Sequence, residues 1–230
     1  MILQSITDDL ARLYQMDAAP PVAPWLVSRA RYRRYCTRFA HLDPQRAEML
    51  LLVPQSEGID VGLYIAPEVT RRLQQTDPRT QLDQHNLAAA CVAIEGISHF
   101  LCVWWKWSHE LPCSLLELEL QAEIDKYLLC RHWLRAQGNP GNDLLGSLFE
   151  HYALAGGMDA EAAERYHRAN ALAHHFCHTL AACRTQEPAV QRARAFYRLT
   201  HWQKLRWLVA SDSLHSIDRS GMGRACGGLG

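Results

Sequence analysis

A chain of 230 residues, 48% hydrophobic and 21% charged, has enough apolar side chain to bury a core and too little charge to stay unfolded. Lysine plus arginine equals aspartate plus glutamate at 24 each, which excludes a protein whose main task is gripping polyphosphate. It also leaves little charge repulsion against self-association, so a homo-oligomer is expected. The opening residues carry no basic segment followed by a long apolar run, and eight cysteines lie without any Cys-x-x-Cys pair, so the expected setting is cytoplasmic, with reduced thiols acting as small core residues.

In chain order, residues 2–16 read as a short amphipathic helix, and Ala18-Ala-Pro-Pro-Val-Ala-Pro24 as a stiff linker. Arg29 to Phe39 interleaves Arg29, Arg31, Arg33, Arg34 and Arg38 with Tyr32, Tyr35 and Phe39. Such a stretch could stack single-stranded nucleic acid, but zero net charge and the lack of a nucleic-acid motif favour a solvated helix with its rings inward. Met49–Val53 and Val61–Ile65 are apolar runs separated by a turn at Ser56-Glu-Gly58 and predict a β-hairpin. Pro67 suits the first position of a helix reaching about Gln75.

The remainder predicts helices. Asp83 is expected to cap one running to Ser108. Ser114 and Glu117 form a capping-box pattern opening another that runs to Gln137, stopped by Gly138. A shorter helix is expected over 143–155, ending at Gly156-Gly157, then one from Asp159 to about Arg184 and a last one from Pro188 to about Ala210. The expected fold is mainly α, a bundle of about five helices with a small N-terminal β-hairpin. Its divisions would be a segment over 1–78, the bundle over 79–212 and a flexible glycine-rich tail over 213–230. Leu87 to Trp105 has Glu95 as its only formal charge and is long enough to span a bilayer. A mid-membrane Glu95 and the absence of a second such segment favour a central buried helix with no solvent face until Lys106.

The chemistry is expected on that helix. Glu95 and His99 share a face at i, i+4, about 5–6 Å apart at Cβ, close enough to hold one ion. A carboxylate buried without a partner is costly, so a proton, a cation or a metal should compensate it. Gly96 beside it leaves room for a neighbouring helix to come close. On the next helix Glu119 and Glu123 repeat the spacing, with Lys126 within reach of Glu123 for a plain ion pair, while Glu117 and Asp125 are expected to be more exposed. The helix after Asp159 carries His167, Asn170, His174 and His178, of which His174 is the candidate ligand. Glu95, His99, Glu123, Glu119 and His174 are therefore the candidate ligands of a divalent ion, with iron, manganese or zinc suited to such donors.

This pattern resembles the carboxylate sites in the bundle cores of ferritin-like proteins. It departs from them in reading Glu-x-x-x-His where they have Glu-x-x-His, and in lacking a second such pair, so the resemblance implies only that bundle-core acids can hold metal. The function expected is a metal-binding helical protein acting as a metal-dependent oxidase or hydrolase. The alternative is a non-enzymatic interaction or scaffold protein, with a buried Glu/His network and a partner docked on the aromatic, basic C-terminal helix around Trp202 and Trp207.

Overall fold

In the computed structural model, which describes residues 1–40, 42–141, 143–150, 159–183 and 185–210, the fold is mainly helical with one two-stranded antiparallel hairpin. Helix α1 (Ile2–Tyr14) buries Leu3, Ile6 and Leu10, one helical face at three- and four-residue spacing. Helix α2 (Arg29–Arg38) begins where the Ser28 hydroxyl accepts a bond from the Arg31 amide. Its Tyr32 is buried and stacks on Tyr64 at 4.0 Å, whereas Arg31, Arg33, Arg34 and Arg38 lie exposed.

The hairpin pairs β1 (Glu48–Pro54) with β2 (Ile59–Ile65) in a register that sets Glu48 opposite Ile65 and Leu50 opposite Leu63. Gly58 closes the turn at φ 88°, a conformation glycine adopts without a steric cost. Helix α3 (Pro67–Gln75) follows directly and buries Val69 and Leu73. Both hairpin faces are covered: Tyr64 meets α2, while Leu63 and Ile65 face helix α4 (Leu87–Ser108) at Gly96. A methyl at Gly96 would sit 3.2 Å from both Leu63 Cδ1 and Glu48 Oε2. The close approach expected at this glycine is thus made by the hairpin rather than by a helix.

Asp83 does not cap α4. Its carboxylate accepts the His85 amide and its carbonyl accepts the Asn86 and Leu87 amides, forming a turn one step ahead of the helix, with Asn86 at the cap position. Asn86 is buried and donates to the Thr76 and Gln81 carbonyls, so it ties this turn to the end of α3. Helix α4 is long and apolar enough to cross a membrane, but 56% of its most apolar window is buried inside the protein, against α5, the hairpin, α1 and α3.

The most enclosed element is helix α5 (Leu115–Ala136), in which residues 120–131 are all buried. Helix α6 (Ala160–Ala181) packs along it, and Arg131 of α5 donates to the carbonyls of Leu180 and Cys183 at the C-terminal end of α6, where cations are favoured. Glu117 and Asp125, expected to be exposed, are 0% and 1% exposed, and Lys106, expected to begin a solvent face, is 1% exposed. Each has found a partner. Lys106 and Lys204 both pair with Glu117, at 2.6 and 2.9 Å, and Asp125 accepts bonds from Tyr14, from Ser98 at 2.6 Å and from Gln121 at 2.9 Å. The Ser114 hydroxyl accepts the Glu117 amide as a capping box requires, but the Glu117 carboxylate is committed to the two lysines.

Burial raises the Asp125 carboxyl to about 6, although Ser98, Tyr14, Gln121 and Lys204 all pull it back down. Its folded pKa thus lies above the unfolded value of about 3.9, so the folded state holds the proton more tightly. Stability from this group is fully present below about pH 4 and is lost as pH rises through about 6, an effect on the order of 3 kcal/mol. Urea unfolding at pH 4.5 and pH 6.5 is expected to show this loss in the wild type relative to Asp125→Asn. An equal pH response in both proteins would remove the assignment.

Of the helix expected over 143–155, only 143–150 is described, and there Gly146–Glu150 winds as a π-helical turn; residues 151–155, Gly156-Gly157, Arg184 and the glycine-rich tail lie outside the described residues. The expected last helix is two. Helix α7 (Gln186–Tyr197) ends, and α8 (201–210) restarts after Thr200, whose hydroxyl accepts the Gln203 amide at 3.4 Å while its own amide donates to Gln203 Oε1 at 2.8 Å. Both tryptophans of the expected docking face lie on α8, but only one of them packs on the core. Trp207 packs on Phe176 and Phe196, whereas Trp202 is exposed. The hydrophobic core runs continuously from Ile2 to Leu208 and takes in residues of the hairpin.

Candidate metal centre

Glu95, His99 and Glu119 converge where α4 and α5 pass beneath the hairpin, each offering a ligand atom within 4.8 Å of the other two. The i, i+4 spacing puts Glu95 and His99 on one face of α4, and Glu119 reaches the same point from the second turn of α5. Bonds of about 2.0–2.2 Å to a shared ion would need these atoms to close in by roughly an ångström.

A fourth acid comes from the hairpin. Glu48, the first residue of β1, places Oε2 3.7 Å from His99 Nδ1, while His99 Nε2 lies 3.7 Å from Glu119 Oε2. Both separations exceed hydrogen-bonding distance, and Glu48 Oε2 and His99 Nε2 are buried without a hydrogen-bond partner among the described residues. The two ring nitrogens therefore face different acids. Nε2 points into the group formed with Glu119 and Glu95, and Nδ1 points to a carboxylate able to fix the tautomer and orient the ring, the usual arrangement for a metal-binding histidine.

Burial disfavours charge on His99, but Glu48 first, then Glu119 and Glu95, outweigh it and raise the imidazole to about 9. Burial would also raise Glu95, but Lys126 and His99 overcome it and hold that carboxyl below its ordinary value. Burial prevails at Glu119, where the attraction of His99 is opposed by the neighbouring acids, and its carboxyl is raised.

Glu123 and His174 stand apart from this group. Glu123 Oε1 accepts from Lys126 Nζ at 2.7 Å and from the Tyr166 hydroxyl at 2.8 Å, and Lys126 also pairs with Glu95 Oε2 at 2.6 Å. Lys126 thus separates Glu123 from the cluster, so the ion pair available in the sequence is formed and extends to Glu95. Burial, then His178, lowers the pKa of His174, whose ring stacks on Phe149 at 5.1 Å and meets His178 at 4.7 Å. The part of α6 that faces the acids is Ala162, Arg165 and Tyr166, and His174 lies about 12 Å further along the axis from Tyr166.

The group opens into a cavity of about 400 Å³ between the hairpin, α4, α5 and the start of α6, with Glu48, Glu95, His99 and Glu119 in its wall. Glu48 falls outside the strand expected from Met49. The signal available was parity: Glu48 shares its face with Leu50 and Leu52, so extending the alternation backwards by one residue turns its side chain inward. Comparison with family models, with curated proteins and with solved structures gives no match.

Proposed function

We propose that this protein is a metal-dependent enzyme that acts on a small molecule, with a divalent ion held by Glu95, Glu119 and His99 Nε2, and with Glu48 orienting the imidazole through Nδ1. The observation that carries the reading is the convergence of two carboxylates and one imidazole on the wall of a cavity. Two carboxylates and a neutral imidazole balance a doubly charged ion. Three protein ligands leave a coordination position open toward the cavity, as catalytic sites do and closed structural sites do not. The donor set suits zinc, iron or manganese: zinc would support hydrolysis, and iron or manganese an oxidation. Metal uptake would displace the proton that the surrounding acids stabilise on His99.

The second reading is a structural ion-pair network, favoured by Lys126, whose ammonium lies 2.6 Å from Glu95 and already neutralises it. Metal content separates the two. Protein purified without a metal-affinity tag and dialysed against zinc, manganese or anaerobic ferrous iron is expected to retain about one ion per chain. Glu95→Gln, His99→Ala and Glu119→Gln should each lose it while keeping the wild-type circular dichroism. A folded wild type that retains none of the three metals would leave the structural network as the reading.

A further inference from the structure

Two guanidinium groups line the wall of the same cavity without a carboxylate partner among the described residues. Arg165, on α6, has its Nε buried with no hydrogen-bond partner, and Arg46, just before β1, makes no ion pair among the described residues. A buried donor left unpaired costs about 1–3 kcal/mol, more beside a charge, so a ligand that supplies an acceptor recovers that loss. The acids nearby do not fill the role. Glu123 is committed to Lys126 and Tyr166, Glu95 to Lys126, and Glu48 and Glu119 flank His99.

The charge lining the cavity points the same way. Lys126 and Glu123 cancel, and the carboxylates of Glu48, Glu95 and Glu119 face two guanidiniums. With a divalent ion bound and His99 neutral, the balance turns to one net positive charge, which favours an anion. The rest of the wall is apolar, with Met49, Leu50, Val92 and Leu118, and at its edge Leu52 and Leu115 are 44% and 60% exposed. Exposed leucines beside a concave site are surface that an apolar ligand body would cover. The volume is of the size that holds small molecules.

We infer that the cavity binds a small organic carboxylate with an apolar tail, its head group held by Arg165 and Arg46 beside the metal and its tail along the leucine-lined wall. The metal's part in this rests on the function proposed above; the guanidinium and leucine contacts do not. The ligand's charged end meets the donors that the fold leaves unpaired, and its apolar end removes Leu52 and Leu115 from water.

Calorimetric titration of zinc-loaded protein with octanoate, octanamide and acetate, alongside metal analysis of the same samples, tests the proposal. Octanoate should bind, and octanamide and acetate should each bind at least about tenfold more weakly, the first for want of charge and the second for want of a tail. Arg165→Gln and Arg46→Gln should each weaken octanoate at least about tenfold while keeping the wild-type metal content and melting temperature. Equal binding of octanoate and octanamide would overturn the proposal. So would unchanged octanoate affinity in both arginine variants, or no octanoate binding at millimolar concentration. Protein that takes up no zinc yet binds octanoate with this selectivity and arginine dependence would support the anion site while removing the metal reading.

Discussion

Lys126→Met is expected to lose about 3–5 kcal/mol of folding stability in chelator-treated protein, and a divalent ion is expected to return part of the loss. Lys126 is the shared cation of two carboxylates, 2.6 Å from Glu95 and 2.7 Å from Glu123, with side chains 7%, 19% and 3% exposed respectively. Removing it leaves a buried acid, Glu123, and a partly buried one, Glu95, beside one another. The cost follows from that uncompensated charge rather than from the strength of the original pairs, because desolvation offsets much of the attraction when such pairs form. Glu123 keeps the Tyr166 hydroxyl, while Glu95 is left with His99 as its nearest cation. If Glu95 is a metal ligand, an ion binding there replaces the missing positive charge and also stabilises by mass action, about 2.7 kcal/mol at a hundredfold excess over the dissociation constant. Urea unfolding of wild type and Lys126→Met, with EDTA and then with zinc or manganese, reads both effects. Rescue by metal in Lys126→Met that is absent in Lys126→Met/Glu95→Gln would tie it to Glu95. A variant equally unstable with and without metal would count against Glu95 as a metal ligand.

The same lysine explains what could be read in the sequence. Glu95 and His99 stood out because they interrupt an apolar helix, and their one-turn spacing brought them together as expected. The hairpin was legible from two apolar runs around a Gly turn. Helix α5 was harder to place because the signal for burial is hydropathy, and its middle carries Glu123, Asp125, Lys126 and Arg131. On an amphipathic reading those charges mark a solvent face. In the fold they point at one another, at Tyr14 and Ser98, and at the end of α6, so the most enclosed helix resembles a surface one in composition. The burial of Glu117 is hidden for the same reason, since its partners Lys106 and Lys204 are 11 and 87 residues away. The break before α8 is carried by Thr200 and Gln203, a local capping pattern masked by a continuous apolar periodicity. Glu48 was out of reach for a further reason. Parity can turn it inward, but only the packing of the hairpin on Gly96 decides that inward means toward His99.

The second large effect is expected at Glu117, a completely buried carboxylate shared by two lysines that are each 1% exposed. This triad links α4, the first turn of α5 and α8. Lys106 also donates to the Leu199 carbonyl at 3.2 Å, and Lys204 to Gln121 Oε1 at 3.2 Å. Glu117→Met would leave two ammonium groups facing one another in the core. The expected cost is about 3–5 kcal/mol, a large share of the roughly 5–15 kcal/mol that a domain has in total. The triple variant Lys106→Met/Glu117→Met/Lys204→Met removes all three charges and replaces them with flexible apolar side chains that fill irregular space. Because a buried ion-pair group can be exchanged for packed apolar residues at little or no net loss, the triple variant is expected to unfold at higher urea than Glu117→Met alone. That ordering, in which three substitutions harm less than one, separates an electrostatic cause from a packing one. If the carboxylate mattered only for its volume, each added methionine would add its own repacking cost, and the triple variant would be the less stable of the two.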